Sequence, residues 1–256
     1  MRNKPTVLVV GFLLILSCIS LVGVGARQFK NNRTPISTLR IVNIKNRTQS
    51  LKVLSIVDLG EETVDDAKFR SIKLTVQNGY DKGIVAYSVR KDANSKVTSN
   101  GATTGFVLAP GATDTVTISL RSEMKPTIIL SAVLLEDSTG DGDADVLAQM
   151  RDYRLGVKIE FEQLIDTLHQ ALNTSDHTSS LRLLKEFHSQ ISGKLGEKPK
   201  ENISLGQFQG QQDARQQILV QLRQVEEHSF PGANDSKSRI ALDNLASHIE
   251  SLLAKL

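Results

Sequence analysis

The chain of 256 residues has one cysteine, six prolines and no tryptophan. Its single cysteine, Cys18, leaves no disulfide within the chain and no multi-cysteine metal cluster. Aromatic residues make up 4%, too few for a stacking platform that would hold single-stranded nucleic acid or sugars. The formal net charge is +3. Residues 27–144 carry a small basic excess and residues 145–256 a small acidic one, so neither stretch projects a field that would steer a polyanion. No nucleic acid is expected as a partner. The nucleophile elbow Gly-x-Ser-x-Gly, the phosphate loop Gly-x-x-x-x-Gly-Lys and the zinc helix His-Glu-x-x-His are all missing. Histidine is absent before His169, so a Ser–His pair within residues 27–144 is excluded.

Hydrophobic residues at 39% and charged residues at 23% describe a chain that folds. At the N-terminus, Arg2 and Lys4 precede an uncharged run from Thr6 to Ala26. A helix of that length spans the roughly 30 Å hydrocarbon core, and the basic residues favour an N-in orientation. Three readings are open. The run is an uncleaved single-pass anchor, a signal peptide cut after Val24-Gly25-Ala26, or a lipoprotein signal ending at Cys18. Ile15-Leu16-Ser17-Cys18 resembles a lipobox, with Leu16 where a small residue is expected. All three place the remainder outside the cytoplasm, membrane-anchored or secreted, with residues 6–26 as its membrane contact.

Residues 27–37 read as a polar linker. Beyond it, Ile72, Leu74 and Val76 alternate with Lys73, Thr75 and Gln77, and Val116, Ile118 and Leu120 alternate with Thr115, Thr117 and Ser119. Alternation of this kind buries one face of a strand and wets the other. Seven strands are expected, near 38–45, 50–57, 70–77, 83–91, 104–108, 114–120 and 127–136. Turn pairs such as Asn78-Gly79, Asn100-Gly101 and Pro110-Gly111 separate them. The last strand is apolar on both faces, which predicts a central, covered position. Short strands at this spacing predict an antiparallel sandwich over residues 38–144.

From about Asp145 the period changes to three and four. Val146, Met150, Tyr153, Val157, Phe161, Leu164, Leu168 and Leu172 form one helical stripe, with Gly156 as a local weak point. Leu181, Leu184, His188, Ile191 and Leu195 form a second, ended by Gly196 and Pro199. A third runs through Phe208, Arg215, Ile218, Leu222 and Val225, and a fourth through Leu242, Leu245, Ile249, Leu252 and Leu256. Short connections predict antiparallel neighbours in a four-helix region over residues 145–256. The fold class is thus α+β: a membrane segment, an immunoglobulin-like antiparallel sandwich and a helical domain.

The sharpest local motif is Asp137-Ser-Thr-Gly-Asp-Gly-Asp-Ala-Asp145. Calcium loops place oxygen ligands at alternate positions around a glycine bend. Counting from Asp137, the ligands would be Asp137, Thr139, Asp141, the Asp143 carbonyl and Asp145, with Gly142 at the bend. This spacing resembles EF-hand and dockerin-type loops, although Ala148 stands where the bidentate Glu belongs and a strand replaces the first helix. The bland alternative is an acidic connection that caps the following helix. Asp58, Glu61, Glu62, Asp65 and Asp66 read as a solvated loop between strands. His188 falls on an apolar stripe and reads as a boundary residue, while His169, His177, His228 and His248 read as surface residues. The glutamines from Gln207 to Gln224 read as a neutral solvated face. Five Asn-x-Ser/Thr sequons, at Asn32, Asn46, Asn173, Asn202 and Asn234, matter only in a host that N-glycosylates.

Ile72-Lys-Leu-Thr-Val-Gln-Asn78, then Ile84-Val-Ala-Tyr-Ser-Val89 and Val107-Leu-Ala-Pro-Gly111, resemble the FxLYD type of small exported β-sandwich. In that type a strand ending in Asn passes through a Lys-bearing turn into the next strand, and a Leu-x-Pro-Gly turn follows. The whole chain is similar to exported bacterial proteins that join such a sandwich to a helical tail. The resemblance implies an immunoglobulin-like topology and no catalytic residue. The expected function is a non-catalytic binding or protein-interaction module of the cell envelope, whose sandwich presents edges or loops and whose helices 145–256 meet an unknown protein partner. Two alternatives stand beside it: a structural protein that self-associates through those helices, and a hydrolase built on His177 or His228 with a buried carboxylate.

Overall fold

Alternating apolar residues produce the strands expected near 70–77 and 114–120, and the apolar face of each meets cover in a neighbouring layer. A computed structural model describes residues 43–91, 98–100, 105–121, 127–174, 176–229 and 235–256. The N-terminal apolar run, Cys18 and the linker lie outside them. Among the described residues no helix is long and apolar enough to cross a membrane. Among the described residues there are eight strands: β1 (Asn43–Asn46), β2 (Leu51–Val64), β3 (Ala67–Asn78), β4 (Ile84–Arg90), β5 (Thr98–Asn100), β6 (Thr113–Arg121), β7 (Thr127–Leu135) and β8 (Gly140–Gly142). Four helices follow: α1 (Ala144–Asn173), α2 (His177–Lys194), α3 (Leu205–Ser229) and α4 (Asp235–Leu253). The chain is mixed α+β, and Ile36–Leu256 is one compact unit.

The strands form two sheets in a sandwich-like arrangement. One sheet has the order β2-β3-β6; the other has β1-β7-β4-β5, with β8 also on β7. Ile72, Leu74 and Val76 of β3, Ile118 and Leu120 of β6, and Ile128, Leu130 and Val133 of β7 meet in one buried core. As expected, β7 is central and covered. β4 pairs one of its edges, and β1 and β8 share the other, at Thr127–Leu130 and Ala132–Leu134. Its outer face holds Ala132 and Leu134, which pack with Val85 and Ala86 against Val146, Leu147 and Met150 of α1. The first turns of α1 therefore belong to the cover of the sheet.

Three expectations are corrected. The sheets are not wholly antiparallel, because β1 runs parallel to β7. The chain leaves β1 by crossing to the other sheet instead of turning back beside itself. Asn46 drives that crossing: its side-chain carbonyl accepts from Thr48 N–H at 3.0 Å, and its amide donates to Leu51 O at 2.7 Å. The strand near 104–108 is reduced to one bridge, Leu108 to Ile84, because Gly105 takes a left-handed φ of 61° and breaks the extended run. Pairing with β4 is made instead by Thr98–Asn100. Third, the acidic run is not a loop. β2 and β3 continue through it as a long hairpin, closed at Asp65-Asp66 with φ of 48° and 63°. Two successive left-handed residues match a type I′ turn, whose twist suits a two-residue hairpin.

The apolar stripes of all four helices converge on one core, including Phe161, Leu164, Leu168, Leu184, Ile191, Ile218, Leu222, Leu242 and Ile249. The consecutive pairs run antiparallel as expected, but the tightest contact joins α1 and α3, which are parallel and not consecutive. A methyl group on Gly156 would lie 2.0 Å from Gln207 O, and one on Gly210 would lie 2.0 Å from Tyr153 O. Glycine at both positions lets the two backbones touch. α2 and α4 then pack against this central pair, held by Ser180 Oγ donating to Ala171 O at 2.8 Å and Arg239 donating to Leu172 O at 2.7 Å.

Candidate functional site

The segment read as a calcium loop is a hairpin turn and a short strand. Asp137 opens the turn, accepting from Thr139 N–H at 3.1 Å and Thr139 Oγ1 at 2.5 Å. Ser138 is left-handed, and β8 then pairs antiparallel with β7. Gly142 is required there twice over. Its φ is 107°, and a methyl group would fall 2.2 Å from Ser131 O.

Asp137, Asp141 and Asp143 each engage a different protein group. Asp137 pairs with Lys82. Asp141 accepts from the Tyr80 hydroxyl and from Gln49 N–H at 2.5 Å. Asp143 pairs with Arg47, whose Nη1 donates to its two oxygens at 2.9 and 2.6 Å. Asp145 sits in the first turn of α1, where a negative charge suits the helix dipole. The structure thus spreads Asp137, Thr139, Asp141, Asp143 and Asp145 along one connection. Among the described residues no group of three or more His, Cys, Asp or Glu is arranged to hold a metal ion. Electrostatics follow the pairings. The Lys82 ammonium and the Thr139 donors hold the Asp137 carboxyl at about 2. Burial, then the bond to Asp141, pushes the Tyr80 hydroxyl up to about 12.

Asn78 organises the same end of the sandwich. It is fully buried. Its amide donates to Lys82 O and Leu108 O, both at 2.8 Å, and its carbonyl accepts from Tyr80 N–H at 2.8 Å. The Asn that ends β3 therefore ties the Lys-bearing turn to the strand-like segment before Pro110-Gly111. These are the residues on which the sandwich resemblance rests.

In the helical region, His188 Nδ1 lies 3.1 Å from Glu226 Oε1 and joins α2 to α3. His169 Nε2 lies 3.1 Å from Glu250 Oε1 and joins α1 to α4. His248 is exposed, and the side chains of His177 and His228 lie outside the described residues. Part of the glutamine-rich face lies at a helix seam. Gln211 is buried, and Gln212 donates to Lys194 O at 3.3 Å, closing the end of α2. The most buried ion pair among the described residues is Glu160 of α1 with Arg215 of α3, at 2.7 Å. Its other carboxylate oxygen and the Arg215 Nε have no partner among the described residues.

The feature missing from the sequence reading is on β2. No described strand pairs with its outer edge. Leu54, Val57, Leu59 and Val64 are between 41% and 51% exposed along it. Leu54 and Leu59 are the extra residues of two bulges, between Val53/Ser55 and Asp58/Gly60. Polar residues surround them: Lys52 near the start of the strand, then Asp58, Glu61 and Glu62. Arg70 pairs with Glu61 at 3.0 Å and with Asp58 at 3.6 Å. Two signals pointed to this strand. Leu59 and Val64 are apolar residues inside the acidic run, and Asp65-Asp66 is a two-residue turn pair. The chain matches no protein-family model, no curated protein and no solved structure.

Proposed function

We propose that the chain is a non-catalytic protein-interaction module of the cell envelope, held outside the cytoplasm by or after residues 6–26, with an immunoglobulin-like sandwich as its binding unit. The observation that carries this reading is the exposed apolar edge of β2. Unpaired strand edges recruit further strands, and clustered apolar residues on them mark association surfaces. The polar groups around the sandwich, by contrast, are engaged with one another: Asp137 with Lys82, Asp141 with Tyr80, Asp143 with Arg47. The helical stripes are spent inside their own core, which moves the interaction surface from residues 145–256 to β2.

The test is cross-linking capture from native envelope extract, with the full chain as bait. A partner held by the wild type and lost from Leu59→Lys, but kept by Ile240→Lys at an exposed position of α4, supports the edge. Loss from Ile240→Lys alone returns the interface to the helices and favours the assembly reading.

A further inference from the structure

We propose that the partner of the β2 edge is a second copy of this chain, paired antiparallel across a two-fold axis at Val57. The inference rests on the interaction reading above and names the partner. It begins from register. Lys52, Val57 and Glu62 stand opposite Gln77, Lys73 and Phe69 of β3. Those three β3 positions are four residues apart, so the three β2 residues lie on one face at equal steps of about 13 Å. Lys52 and Val57 are five positions apart in the sequence, as are Val57 and Glu62; each interval contains one bulge residue, Leu54 or Leu59. The bulges are what keep both charged residues on the face of Val57.

The edge therefore reads basic, apolar, acidic at even spacing. A two-fold axis through Val57 reverses that order in the second copy. Lys52 of each copy then meets Glu62 of the other, and the two Val57 side chains meet at the axis. Opposite charges facing across strands stabilise a pair, and like charges oppose it. No ion pair engages Lys52 or Glu62 among the described residues, so both are available. Bulges also protect edges against indiscriminate pairing. A strand without the same interruptions would fall out of step after a few residues, whereas a second β2 carries the matching spacing. The apolar side chains of Leu54 and Leu59, otherwise in water, line the seam on both sides of the axis.

The test uses the full chain in mild detergent with Cys18→Ser as background. Residues opposite each other in an antiparallel pair have Cα atoms about 4.5–5.5 Å apart, within the reach of a disulfide. Val57→Cys should give a covalent dimer under mild oxidation. Thr117→Cys, which lies on the same row beyond Lys73 at the other edge of the sheet, should not. Lys52→Glu added to Val57→Cys should reduce the dimer about tenfold, and Glu62→Lys added to that should restore it, which also shows that the single charge change had not unfolded the chain. Absence of the dimer, equal yield from Thr117→Cys, or indifference to Lys52→Glu overturns the proposal. If the dimer is absent while Leu59→Lys still releases an envelope protein, self-pairing fails and the interaction reading stands. If both are absent, both fail.

Discussion

Glu160 and Arg215 show what a buried charge demands of its neighbours. Both are almost wholly removed from solvent, and one bond of 2.7 Å joins them. Arg215→Met should destabilise the chain by about 3–5 kcal/mol, because it leaves a carboxylate in the core without its cation. Glu160→Leu added to Arg215→Met should recover most of that loss, and urea unfolding of the two variants decides it. Asp137 behaves differently because it is at the surface. Its carboxyl is held at about 2, well below the ordinary carboxylate range, chiefly by Lys82. The stability it adds is present above the unfolded value near pH 4 and is lost as pH falls through 2. Lys82→Ala should therefore flatten the decline in urea midpoint between pH 4 and 2. The same salt bridge competes with any cation at this turn, so melting temperatures of the wild type should coincide in calcium and in chelator. A rise with calcium would assign the metal to Asp137, Asp141 and their neighbours.

At the scale of elements, periodicity was readable almost to the residue where each strand or helix packs against its own kind. The strands at 70–77, 114–120 and 127–136 and the four helical stripes formed as expected, since alternation and the three-four spacing state directly which side is buried. Composition misled where geometry outweighed it. Five carboxylates between 58 and 66 suggested water on all sides, yet a largely acidic hairpin arm forms when its ladder bonds are made by β3. Gly156 suggested a weak point in a helix, because a single chain does not reveal that Gly210 lies against the same helix. The candidate site was legible only as an acidic spacing; the partners that engage it, Arg47, Tyr80 and Lys82, come from distant turns. Gly210→Ala should cost about 2–3 kcal/mol, as the new methyl group forces α3 away from Tyr153. Thermal melting should register a fall of roughly 4–12 °C.

On the scale of the molecule, the two sheets and the bundle share one organising strand. β7 is paired along one edge by β4, along the other by β1 and β8, and roofed by α1. Its pairing with β1 has a consequence for the order in which a nascent chain can acquire structure. β2 and β3 are joined by a tight turn and can associate as soon as both exist. Asn43 must wait for Thr127, and the roof over β7 waits longer, for Met150. At ribosomal speeds of 5–20 residues per second, β1 remains without its partner for on the order of ten seconds. Once Asn78 has been added, the apolar edge of β2 is in place while the second sheet is still open, so two chains can meet through it before either has closed its own second sheet.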